Sequence, residues 1–100
     1  MLSEQKLAEL GGIFNALGNT TRLKILLIAA ENERPLHIKA YARLLKKRYS
    51  AVYRHIAILR KAGLVNIYEV GRSRVVSVKK GLNIESLYNS LASMGIITSE

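Results

Sequence analysis

The sequence predicts a mostly helical α+β fold in one domain, 1–100, and three observations carry that prediction. Apolar residues recur at helical spacing over most of the chain, the period drops to two between Val65 and Val78, and Gly, Asn and Pro mark the changes. One hundred residues, about half of them apolar, build one core with little to spare.

Leu7, Leu10, Phe14 and Leu17 recur at i, i+3, i+7 and i+10, which predicts an amphipathic helix over about residues 3–17. Gly11-Gly12 within it costs about 2 kcal/mol of helix propensity. The pair could instead let another helix approach closely. Asn19 can cap a second helix, Thr20 to about Ala30. Leu23, Ile25, Leu26, Leu27 and Ile28 make that helix apolar nearly all round, as a central, buried helix is. The loop at Glu31–Pro35 ends it. A third helix, about His37–Leu45, buries Ile38, Tyr41, Ala42 and Leu45 and carries Lys39, Arg43 and Lys46 on its other face.

The basic connection Lys46-Lys47-Arg48-Tyr49 leads into a fourth helix, from about Ser50. Val52, Ile56 and Leu59 share a narrow arc there, with His55 and Ala62 at its edge. Ser50, Arg54, Ala57 and Lys61 lie opposite, with Tyr53 on the flank. One arc packs on a core and the other stays free. Gly63 ends the helix by taking the left-handed conformation. Val65–Val70 and Arg74–Val78 are then β-branched strands around Gly71, a β-hairpin with Arg72 and Arg74 at its tip. Asn83 caps a last helix, about residues 83–95, striped with Ile84, Leu87, Tyr88, Leu91 and Met94. This order of elements is that of a winged helix-turn-helix.

Charge sharpens the reading. The formal net charge is +9, and Arg34 to Lys80 hold thirteen Lys or Arg against Glu69 alone. A field of that sign at the middle of the chain predicts a polyanionic partner. Cysteine and aspartate are absent, which excludes disulfides, thiolate metal sites and a triad in which aspartate orients histidine. No phosphate-cradling Gly-rich loop occurs, so an enzyme is not expected. The longest strongly apolar run, Ile25–Ala30, is too short to span a bilayer, and no signal pattern opens the chain. A cytoplasmic protein without a cofactor is expected.

In a helix-turn-helix the N-terminal residues of the second helix meet base edges in the major groove. Tyr49, Ser50, Ala51, Tyr53 and Arg54 stand there, and Arg54 can pair bidentately with guanine. Lys39, Arg43, Lys46, Lys47, Arg48 and Lys61 are expected on phosphates. Arg72, Ser73 and Arg74 form the wing, where two arginines two apart on a strand would aim the same way, into or beside the minor groove. The stripes Leu7, Leu10, Phe14, Leu17 and Ile84, Leu87, Tyr88, Leu91, Met94 exceed what so small a core can cover. Pairing across a two-fold axis would bury both. His37 is expected to cap the third helix and His55 to be a hydrogen-bonded core residue; two distant histidines and scattered glutamates make no zinc site.

The segments Ala16-Leu-Gly-Asn-Thr-Thr-Arg-Leu-Lys-Ile-Leu27 and Leu59-Arg-Lys-Ala-Gly-Leu-Val65, with the hairpin at Gly71-Arg72, resemble the ArsR family of winged-helix transcriptional regulators. The resemblance spans about Ala16–Val78, and the chain is also similar to small basic regulators of archaea and their viruses. It implies a homodimer, through first and last helices, that binds operator DNA, usually as a repressor. By position, Ser50, Ala51, Tyr53 and Arg54 occupy the family's base-reading slots and Arg72 and Arg74 its wing. Thr20 stands where that family often has proline, and Lys46-Lys47-Arg48 replace its usual Gly-Leu-Ser turn. Its metal-sensor ligands have no counterpart in the third helix or in Asn83–Ser93, so no metal effector is expected. The expected function is sequence-specific duplex-DNA-binding regulation; an architectural DNA-coating protein, or a module that docks protein or RNA, are the alternatives.

Overall fold

The computed structural model describes residues 1–98. Its elements run α1 (Glu4–Leu17), α2 (Thr20–Glu31), β1 (Leu36–His37), α3 (Ile38–Leu45), α4 (Tyr49–Lys61), β2 (Val65–Val70), β3 (Ser73–Val78) and α5 (Ile84–Ser93). This is the winged helix-turn-helix, with one strand the sequence does not announce. Leu36 and His37 pair antiparallel with Val76 and Val75, so β3 lies between β1 and β2 in a three-stranded sheet. That short strand anchors the wing to the start of α3.

Local chemistry sets the boundaries. Ser3, Asn19 and Asn83 each accept a hydrogen bond from the backbone N–H three residues on, at 3.2, 3.1 and 3.0 Å, which satisfies a donor that a helix start leaves free. At the end of α4, Gly63 has φ +80, and the N–H of Leu64 donates to the carbonyl of Leu59 at 3.0 Å. This closure needs the left-handed residue that glycine supplies without a Cβ clash. Gly71 (φ +63) opens the two-residue turn between Val70 and Ser73, which pair with each other.

The core gathers Ile25 and Leu26 of α2, Ile38 and Tyr41 of α3, Val52, Ile56 and Leu59 of α4, and Leu64, Val65 and Val76 next to or within the wing. All of the α4 arc is fully enclosed, at 0% exposure. The last turn of α1 enters this core through Ala16 and Leu17, while Leu7, Leu10 and Phe14 remain exposed at 47, 41 and 49%. Leu17 therefore belongs to the chain's own core and leaves the expected dimer stripe. Ile84 and Leu87 also pack against the core; Leu91 is half-buried, and Tyr88 and Met94 are exposed. The two stripes are thus split, one end serving the fold and the other uncovered. Gly11 and Gly12 sit within α1 with open space beside them, and nothing in the chain approaches within 4 Å of where a Cβ would stand.

Both histidine expectations need correction. His37 occupies the N-cap position of α3 with the extended backbone usual there, but its side chain makes no cap hydrogen bond. His55 is half-buried, and its Nδ1 is enclosed with no hydrogen-bond partner among the described residues. Tyr41 likewise keeps its hydroxyl buried and unpartnered, and burial pushes its phenol up to about 12.

Candidate nucleic-acid interface

The helix-turn-helix is α3 and α4, and its turn is unusual in chemistry. Lys46 adopts the left-handed conformation at φ +56, alone among non-glycine described residues, and its N–H and that of Lys47 close the end of α3 on the carbonyls of Arg43 and Ala42. Lys46, Lys47 and Arg48 are all exposed along this turn, and Lys39 and Arg43 are exposed on α3. Arg48 takes the N-cap position of α4 without a side-chain bond, so α4 starts at Tyr49.

Ser50 and Arg54 are exposed on α4, while Ala51 is half-buried beside them. Tyr49 and Tyr53, one turn apart, stack with ring centroids 6.3 Å apart and planes 20° from parallel. The guanidinium of Arg74 lies 5.0 Å from the centroid of the Tyr53 ring, a cation–π contact. Strand alternation explains it: Arg74 shares the face of β3 with Val76 and Val78, the face that packs on the helices. Arg72 is instead in the turn, outside the strand, so strand alternation does not aim the two arginines together. Arg74 ties the wing to α4, and Arg72 is at the tip. Tyr53 lies between two neighbours.

Wing, α3 start and α4 start enclose a notch of about 90 Å³ lined by His37, Lys39, Tyr49, Arg72, Ser73 and Arg74. The sequence did not mark His37 for this place; pairing of β1 with β3 puts it there. Lys61 stands apart from these groups. It is eleven residues beyond Ser50, roughly 16 Å along the helix, and lines a groove of about 620 Å³ between α1 and α4 with Ala8, Gly12, Ile58 and Ala62.

His55 of α4 sits in a positive field. The positive charges of Arg22, Lys47 and Arg54 reach His55, which burial first, and then these three, hold below the usual histidine range. The Nε of Arg22 is also enclosed without a partner among the described residues. No side-chain hydrogen bond among the described residues uses a lysine or arginine side chain. Nor do three His, Cys, Asp or Glu side chains come together there, and no described helix is long and apolar enough to cross a membrane.

Comparison with known proteins places this arrangement. HlyU from Vibrio cholerae N16961 is 24% identical over 92% of this chain and 97% of its own, with a TM-score of 0.72. The homodimeric winged helix-turn-helix DNA-binding domain of Mb0332 from Mycobacterium bovis is 22% identical over 95% of this chain and 88% of its own, at 0.71. An ArsR-like transcriptional regulator from Rhodococcus sp. RHA1 is 27% identical over 89% and 81%, at 0.65. No curated protein matches the chain. The family model HVO_A0114 matches residues 19–81, from the cap of α2 through the wing. With the winged-helix fold of ArsR-like regulators around a cationic α4, the chain belongs to the HVO_A0114 family.

Proposed function

We propose that this protein is a homodimeric transcriptional regulator that binds duplex DNA sequence-specifically, as a repressor and without a metal effector. The observation that carries the reading is the notch at the start of α4, where Lys39 of α3 and Arg72 of the wing come together beside Tyr49. Arg43 of α3 and Lys46, Lys47 and Arg48 of the turn are exposed, as are Ser50 and Arg54 in the first turns of α4. Phosphate contacts of this kind fix register, and Arg54 then reads a base edge at the floor of the major groove. Tyr49, Ser50 and Ala51 line the same entry, while Tyr53 and Arg74 hold the wing at a set distance from it.

A second copy is the occupant proposed for the uncovered ends of α1 and α5, where Leu7, Leu10, Phe14, Tyr88 and Met94 are exposed. The Mycobacterium bovis domain of the same fold is homodimeric, and a two-fold pair would set two α4 helices about one DNA turn apart. A pair so seated on an operator would obstruct transcription sterically.

The test is selection from a randomised duplex pool by wild type and Arg54→Ala. A two-fold-symmetric motif, degraded at matched positions by the substitution, is the expected result. Binding with no enriched motif would turn the reading to an architectural protein, and no duplex binding at moderate salt would overturn it.

A further inference from the structure

We infer that the notch between the wing and the starts of α3 and α4 seats one phosphate of the duplex backbone, with His37 among its donors. The inference rests on the DNA-binding reading above and adds to it a residue that the reading leaves unused. Three separate stretches of chain build the notch: His37 and Lys39 at the start of α3, Tyr49 at the start of α4, and Arg72, Ser73 and Arg74 at the wing turn. The pairing of His37 with Val75 holds the first stretch against the third. All six side chains carry a hydrogen-bond donor, and none of them makes a side-chain hydrogen bond among the described residues. Lys39, Arg72 and Arg74 bring positive charge. Glu69, the one acidic residue between Arg34 and Lys80, pairs across the ladder with Arg74 but does not line the notch.

A space of about 90 Å³ with donors on several sides and no carboxylate suits a small anion. It admits one tetrahedral oxyanion and is too small for a nucleoside. Cations brought to one place from different elements repel one another, and an anion among them removes that repulsion. Arg74 is already held 5.0 Å from the Tyr53 ring centroid, so part of the ordering that binding requires is done beforehand. Position then selects the source of the anion. The ridge between the two grooves of a duplex is its sugar–phosphate backbone. On the reading above α4 enters the major groove and the wing lies in or beside the minor groove, so a notch between them faces the strand that divides the grooves. A free inorganic phosphate has the same chemistry, and the experiment separates the two.

The measurement is duplex affinity against salt for wild type, His37→Ala, His37→Gln, Lys39→Gln and the exposed control Lys24→Gln. His37 is exposed and makes no cap hydrogen bond, so His37→Ala should keep the wild-type thermal midpoint. It should weaken selected and scrambled duplexes alike by about fivefold, and His37→Gln, which keeps a donor, should recover most of that loss. Lys39→Gln should lower the slope of log affinity against log salt by about 1, and Lys24→Gln should change neither quantity. On the selected duplex, phosphates are then replaced one at a time by neutral methylphosphonate. One position in each half-site should weaken wild type clearly more than it weakens His37→Ala, as groups in contact do, while elsewhere the two lose equally. A His37→Ala protein that binds like Lys24→Gln, or losses that are equal at every position, overturns the seat and leaves the DNA reading standing. Wild type that binds no duplex overturns both. Inorganic phosphate should compete with duplex no more than chloride at matched ionic strength; competition far beyond chloride would overturn the backbone source in favour of a free anion.

Discussion

Helices α1 and α4 carry apolar stripes of the same kind, and the chain treats them in opposite ways. On α4 every residue of the arc Val52, Ile56, Leu59 is closed off within the chain. On α1 Ala16 and Leu17 at the last turn are buried in the core and Ile13 packs partly against it, while Leu7, Leu10 and Phe14 are left at 41–49% exposure. Amphipathic spacing fixes that a face is to be covered, and says nothing about what covers it. The difference arises from position: α4 is surrounded by α2, α3 and β2, whereas α1 lies against α2 and α4 and leaves the face of Leu7, Leu10 and Phe14 uncovered.

The comparison can be broken first at its buried end. Ile56→Ala should remove about 3 kcal/mol of folding stability, since a fully enclosed aliphatic leaves a cavity; denaturant unfolding measures it, and a loss below about 1 kcal/mol would show that the α4 arc is less committed than its burial implies. At the exposed end, Phe14→Glu should leave the fold intact and raise the dissociation constant of the homodimer by about 100-fold. Sedimentation of wild type and variant at equal concentration reads this. Equal masses for both would mean that α1 is covered by something other than a second copy.

Smaller effects sharpen the contrast between core groups that are at ease and those that are not. Tyr41→Phe deletes a buried hydroxyl that has no partner among the described residues and should stabilise the protein by about 1 kcal/mol, again by denaturant; destabilisation would mean the hydroxyl is satisfied in solution. His55 gives the smallest effect. Its folded-state pKa lies below the ordinary value of 6.5, so the folded state prefers neutral imidazole. The corresponding stability is present above about pH 6.5 and is lost as pH falls toward the folded pKa. Thermal midpoints of wild type and His55→Gln from pH 7 down to 5 should converge, and parallel curves would remove His55 from that account.

Much of the fold was legible because local rules agreed with one another. The α4 arc, the caps at Asn19 and Asn83, the glycines at 63 and 71 and the change of period at Val65 each stand in the residues themselves. Two-residue β1 was not, since Leu36-His37 is too short to show alternation and exists only because β3 is beside it. The split of the stripes was equally hidden: Leu17, Ile84 and Leu87 have the same spacing as Leu10, Tyr88 and Met94, and only tertiary packing sorts them. At the candidate interface, the exposure of the cationic residues could be anticipated from charge and position. The contact of Arg74 with Tyr53 and the placement of His37 beside Arg72 in the notch could not, because each joins residues more than twenty positions apart.

Lys46 closes α3 with the same hydrogen-bond pattern that Gly63 uses to close α4, yet bears a side chain where a backbone at φ +56 disfavours one. A left-handed lysine costs on the order of 1 kcal/mol relative to glycine. A drift toward glycine would therefore be rewarded by a sturdier domain and penalised by one charge fewer at the turn into α4. On the proposed reading of this turn, selection for thermal robustness and selection for grip on a polyanion would pull this one codon in opposite directions. Among relatives, the residue at this turn should follow growth temperature and operator affinity as competing pressures.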